Sequence, residues 1–258
     1  MRPAANPTGA SVLDQLPVRH ARALLRVLER CSGVSEPESF RTTVVDAVSS
    51  TFGVGHVTFF GGRSFDAAFL DPHPTLTITA EKMIDEYQDR WWDKDVFASG
   101  AARQALIRDG FVQLRDLRNL SAPQRSYVVD YLLPHGLSMG SVIHLTTKSG
   151  DALVGMFDSC ELEKADVAAM RFLGKQLRLH AASIVFDGTG SLREVLSPRQ
   201  LEVAALVARG LKNADIAAAM SVTEQSVKKY MSRIFSATGC HNRAALAARV
   251  LTELGAVS

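Results

Sequence analysis

The chain has 258 residues, is 47% hydrophobic and carries 29 Lys/Arg against 27 Asp/Glu, enough for two domains with their own cores, since a domain commonly holds about 100–150 residues. Its three cysteines, Cys31, Cys160 and Cys240, are odd in number and far apart, which argues against a disulfide framework and against a zinc site of closely paired ligands. No stretch reaches the roughly 18 uninterrupted apolar residues of a spanning helix, and residues 1–15 hold one arginine and no apolar run, so neither a membrane anchor nor a secretory leader is expected and a cytoplasmic protein follows.

The net charge of +2 is unevenly spread. Residues 191–258 hold nine Lys/Arg and five Asp/Glu, a formal +4, leaving −2 for the rest. The basic C-terminal part favours a polyanionic partner. Two glycines among small polar residues at 187–191 mark the boundary. The expected division is therefore a sensor-like domain over 1–186, a linker over 187–193 and a small domain over 194–258.

Along the first domain, residues 13–31 and 38–52 carry apolar residues at helical spacing, whereas 56–61 and 137–146 are rich in β-branched or aromatic residues. Residues 137–158 read as two strands joined by the polar, glycine-containing turn 147–151, which predicts an antiparallel sheet. Residues 161–186 then read as one long helix with Val167, Met170, Leu173, Leu177 and Ala181 on a single stripe. Between these elements, Tyr87, Trp91, Trp92 and Phe97 could line an apolar pocket in which Asp95 accepts a hydrogen bond from a ligand amide. Phe59, Met139 and Phe157 lie on predicted strands and could face the same space. Plain core packing explains these aromatics equally well.

The small domain opens with Ser197-Pro198-Arg199-Gln200, in which a serine cap, a proline at the first helical position and a glutamine three residues on together predict a helix start. That helix ends near Arg209, before Gly210. Asn213 is the expected cap of a second short helix with Asp215 in its first turn. Thr223 is the expected cap of a third, whose Val227, Met231, Ile234 and Phe235 form a buried stripe. On the opposite side stand Gln225, Lys228, Lys229, Ser232 and Arg233. A helix has the width of the DNA major groove, where such side chains donate to base edges and phosphates.

With these elements in place, Leu196-Ser-Pro-Arg-Gln-Leu-Glu-Val203, Ala208-Arg-Gly-Leu-Lys-Asn213, Asp215-Ile-Ala217, Ser226-Val-Lys228, Arg233-Ile234, Gly239 and Asn242-Arg243 resemble the LuxR-type helix-turn-helix. Tyr230 replaces a common histidine there, and Ala237-Thr238 stands where many members have a basic residue followed by leucine. The resemblance implies an all-α domain of four helices, the third in the major groove of double-stranded DNA and the fourth pairing two copies into a homodimer. It implies recognition positions at Lys228 and Lys229, phosphate contacts near Thr223 and Ser226, a DNA-facing Arg243, and Leu246, Val250 and Leu251 on the pairing helix.

The longer domain resembles, through Tyr87-Gln-Asp-Arg-Trp-Trp-Asp-Lys-Asp-Val96 and Pro134-His-Gly136, the sensory half of quorum-sensing LuxR-type regulators. That implies an α-β-α sandwich holding a small apolar or amphipathic signal molecule, and an α+β fold overall. A receiver domain controlled by phosphorylation would need a parallel βα repeat, which the antiparallel hairpin does not fit. An enzyme would need a nucleophile with a base, paired carboxylates or a metal cluster, and seven scattered histidines and three cysteines offer no such spacing. Gly53-Val-Gly55-His56 is too short for a phosphate loop. No catalytic residue, metal or cofactor is therefore expected. The expectation is a signal-controlled DNA-binding regulator, the alternative being a ligand-independent one whose first domain dimerises or contacts protein.

Overall fold

The computed structural model describes residues 16–160, 162–185, 191–240 and 242–254. Helices α1 (Val18–Cys31) and α2 (Pro37–Phe52) open it. α1 buries His20, Leu24, Val27 and Cys31, one stripe at helical spacing. The Glu36 carboxylate accepts from the Glu38 and Ser39 amides and so caps α2, which ends at the left-handed Gly53. Of the predicted first helix, residues 13–15 lie outside the described residues.

Among the described residues, five strands form one sheet: β1 (His56–Gly62), β2 (Thr75–Leu76), β3 (Phe111–Gln113), β4 (Met139–Thr146) and β5 (Asp151–Asp158), in the order β2-β1-β5-β4-β3. Every pairing is antiparallel, and β4 and β5 are the expected hairpin. A parallel receiver-type arrangement is thereby excluded. Helices α3 (Phe65–Ala68), α4 (Ile78–Glu86), α5 (Gly100–Asp109) and α6 (Ala122–Ser126) belong to the stretch between β1 and β4, and α7 (Lys164–Ala181) follows β5. α4 and α6 each run on into a π-helical segment, Tyr87–Trp91 and Tyr127–Leu132.

Helices cover both faces of the sheet. One core joins it to α1, α2 and α7 through Phe40, Phe59, Ile143, Val154 and Leu173. The other joins it to the intervening helical segments through Phe60, Tyr87, Phe97, Tyr127 and Leu153. This is the expected α-β-α sandwich. α7 ends at Ala181 rather than near residue 186 because the chain turns there: Ile184 is buried and its carbonyl accepts from the Lys148 amide at 3.0 Å.

The C-terminal unit has a core of its own. Its helices are α8 (Leu192–Val195), α9 (Pro198–Ala208), α10 (Asn213–Met220), α11 (Glu224–Thr238) and α12 (Arg243–Leu254). The one-turn helix α8 spans the expected boundary between the linker and the small domain. Leu192 is fully buried in this core, and its amide donates to Glu253 Oε2 at 2.6 Å. Linker residues 187–190 lie outside the described residues.

Candidate nucleic-acid interface and ligand cavity

Local hydrogen bonds set the C-terminal helices. Ser197 and Gln200 form the reciprocal cap of α9, at 3.3 and 3.0 Å. Asp215, not Asn213, closes the start of α10 by accepting from the Lys212 amide at 3.3 Å, while Asn213 Oδ1 accepts from Arg243. Ser221, at φ 55°, turns the chain into α11, whose cap Thr223 accepts from the Ser226 amide at 3.1 Å. α11 buries Val227, Met231 and Ile234 and leaves Gln225, Lys228 and Ser232 exposed on its opposite side. Thr223 is exposed and Ser226 half-buried at its start.

Three of the expected DNA contacts hold partners within the chain. Lys229 pairs with Asp93 of the first domain at 2.9 Å. Arg233 is 4% exposed, with its guanidinium 5.3 Å from the Trp92 ring centre. Arg243 donates to the Leu211 carbonyl and to Asn213, joining the start of α12 to the loop before α10. Their cationic groups are therefore engaged within the chain. Leu246 and Val250, expected on a pairing surface, are buried in their own domain's core, whereas Leu251 is exposed.

The first domain holds a cavity of about 60 Å³ between the sheet and the segment 69–97. Strand alternation decides which residues reach it. His56, Thr58 and Phe60 of β1 line it, as do Leu153, Gly155 and Phe157 of β5. Phe59 lies on the other face, edge-on to Phe40 at 6.1 Å, and Met139 faces the side occupied by Met156 and Met170. Both depart from the expected pocket wall by one step of the pleat.

Tyr87, Asp95 and Phe97 do line the cavity. Trp91 stacks on Tyr131 at 5.5 Å and donates its indole N–H to Glu86. Trp92 turns toward α11. Neither tryptophan is part of the cavity wall. Sequence reasoning missed Tyr127 and Tyr131, which line the cavity some 30 residues downstream. Their i, i+4 spacing directly after the Ser121–Gln124 cap was the available signal.

The polar centre of the cavity is Asp95. Its carboxylate accepts from the Phe97 amide (2.8 Å), the Tyr87 hydroxyl (2.9 Å) and the Tyr127 hydroxyl (3.4 Å). Burial raises its pKa to about 6 against the opposing pull of these hydrogen bonds. The Tyr87 and Tyr127 hydroxyls are held well above their usual range by burial first and by Asp95 second. Gly155 keeps the cavity open, because a Cβ there would lie 2.5 Å from Thr58 Oγ1 and 2.8 Å from the Phe157 ring. Such a site suits a mainly apolar molecule with one hydrogen-bond donor. Among the described residues, His20, Glu163 and Asp166 bring potential metal donors together. There Arg19 already holds Glu163 and His20 already holds Asp166, at 2.7 and 2.8 Å.

Residues 194–250 match the family model described as bacterial regulatory proteins, luxR family. The C-terminal unit is thus a LuxR-family domain, of a family of regulators rather than of enzymes. The two-component response regulator PprB of Pseudomonas aeruginosa is 48% identical over 52 residues, 20% of this chain and only 19% of that protein's length. Among solved structures, SdiA of Escherichia coli is 14% identical with a TM-score of 0.40, covering 91% of this chain and 98% of that one. SdiA in complex with octanoyl-rac-glycerol is likewise 14% identical with a TM-score of 0.38, covering 91% and 93%.

Proposed function

We propose that this protein is a cytoplasmic, homodimeric transcription regulator that reads double-stranded DNA with α11 and takes a small apolar or amphipathic signal into the cavity beside Asp95. The observation that carries the DNA reading is the exposed row Gln225, Lys228 and Ser232 opposite a fully packed stripe, on a helix capped by Thr223 within a LuxR-family domain. Gln225 and Lys228 donate to base edges in the major groove, while Thr223, Ser226 and Ser232 contact phosphates beside them. The test is retention of genomic fragments by the full chain as salt is raised. Binding should fall with salt, and Lys228→Ala should lower the slope by about one contact. No retention even at low salt would overturn the DNA reading.

The signal reading rests on Asp95, a carboxylate buried among aromatics with two tyrosine hydroxyls around it. A ligand bound to the folded state alone raises stability by about 2.7 kcal/mol at a hundred times its Kd. Cell extract fractions should therefore raise the melting temperature of the wild type and not of Asp95→Asn. The second reading, a ligand-independent regulator whose first domain dimerises or contacts protein, draws on the small size of the cavity. It predicts no shift from any fraction.

A further inference from the structure

Away from both α11 and the cavity, α1 and the start of α7 bring together donors of a different chemistry. His20 directs its Nε2 at Asp166 Oδ1, 2.8 Å away, and the Glu163 carboxylate stands beside them, all three donor atoms lying within 4.8 Å of one another. We propose that His20, Asp166 and Glu163 form a binding site for a divalent transition-metal ion of the zinc class, which fastens α1 to α7 across 146 positions of sequence. The inference is independent of the DNA and signal readings above.

Two donors each about 2.1 Å from a tetrahedral ion lie about 3.4 Å apart, so the spacing here needs only small rotations, which the exposed Glu163 can make. The other two groups are already oriented. Asp166 accepts the Glu163 amide with Oδ2 at 3.0 Å, which fixes its carboxylate and turns Oδ1 toward His20. His20 is only 4% exposed, and its Nδ1 has no hydrogen-bond partner among the described residues. A buried imidazole held through one nitrogen is under-satisfied. An ion on Nε2 adds a strong bond there and creates no new orphan, because Nδ1 lacks a partner in either tautomer. Exposure rises from buried His20 through half-buried Asp166 to exposed Glu163, which leaves the outer side open for entry and for water as a further ligand. One nitrogen and two carboxylates favour a zinc-class ion over Mg2+ or Ca2+, which prefer all-oxygen shells. Arg19 competes for Glu163 at 2.7 Å, but that pair is exposed on both sides and of small worth. The positive end of α7 opposes a cation with only about half a charge, against two carboxylates.

The experiment measures Zn2+ affinity of the full chain, without an affinity tag, by competition with a chromophoric chelator, and follows hydrogen exchange of the α1 amides in parallel. One Zn2+ should bind per chain, exchange over residues 18–31 should slow on binding, and excess Mg2+ should not compete. Asp166→Asn and His20→Gln should each weaken binding about tenfold or more. Glu163→Gln, at an exposed position that leaves the fold intact, should also weaken it about tenfold. Arg19→Ala, which releases Glu163, should tighten it about two- to fivefold. Absence of Zn2+ binding in the wild type would overturn the site. Affinity that survives both His20→Gln and Glu163→Gln would put the ion elsewhere and overturn it equally. Unchanged or weaker binding in Arg19→Ala would remove Glu163 from the ligand set and reduce the cluster to a network of ion pairs. Effective competition by Mg2+ would exclude His20 as a ligand, and binding without slower exchange would sink the fastening of α1.

Discussion

The two faces of the sheet are built from the same strands but to different ends. Toward α1, α2 and α7 the strands present Phe59, Ile143, Val154 and Met156 to a continuous apolar core. Toward residues 65–137 they present Phe60, Val142, Leu153 and Phe157, and that side also holds a buried carboxylate, three tyrosines and a cavity. Fully packed apolar surface maximises stability, whereas a buried charge and an unfilled space both cost it. The contrast teaches that one face carries the fold and the other has given up some stability for a site.

Truncating one aromatic on each face of β1 tests that contrast most strongly. Phe59→Ala should cost about 3–5 kcal/mol, the range for a large side chain removed from a close-packed core. Phe60→Ala should cost about 2 kcal/mol, because the ring already borders open space and gives up fewer contacts. Urea unfolding at unchanged slope measures both. Equal losses would mean that the cavity face is packed as tightly as the other.

The next largest effect is electrostatic. The pKa of Asp95 is raised from 3.8 to about 6 in the folded protein, so the fold binds that proton more tightly than the unfolded chain does. Its contribution is then complete below about pH 4 and is lost as pH rises through about 6, on the order of 2–3 kcal/mol. In Asp95→Asn the stability difference between pH 4 and pH 6 should shrink by that amount. An unaltered pH profile in Asp95→Asn would place the titration elsewhere.

Gly155→Ala sharpens the contrast from the opposite direction, by filling space. Overpacking here should cost about 1–2 kcal/mol, the lower part of its range, because Thr58 can rotate its hydroxyl and Phe157 lines the open cavity. The same variant should abolish any ligand-induced rise in melting temperature. A retained shift would move the binding site away from β5.

What was legible in the sequence follows the range of the forces involved. The starts of α9 and α11 were readable because Ser197, Gln200 and Thr223 act within three residues of themselves. The antiparallel hairpin was readable from its turn, and the buried stripe of α7 from its period. The cavity was readable only around Tyr87, Asp95 and Phe97. Its other walls come from distant segments, and the choice of Phe60 over Phe59 is a one-residue matter of pleat that no local signal fixes. Lys229 and Arg233 read as exposed because helical period knows only the helix's own domain, not the segment 89–93 packed across it. Asn213 shows the same limit: it looked like a helix cap, and it accepts instead from Arg243, 30 residues downstream.

The smallest expected effect compares the two tyrosines that serve Asp95. The Tyr87 hydroxyl donates at 2.9 Å and the Tyr127 hydroxyl at 3.4 Å, near the limit of a useful bond. Tyr87→Phe should therefore cost about 1 kcal/mol at neutral pH and Tyr127→Phe a few tenths, both far below any truncation on the apolar face. Each hydroxyl also favours the ionised carboxylate, so its removal should move the Asp95 midpoint upward, further for Tyr87 than for Tyr127. Carboxyl titration followed by NMR reads this directly. A larger upward shift from Tyr127→Phe would mean that the longer bond is the stronger one in solution, and that Tyr127, on the far wall, holds the charge in place.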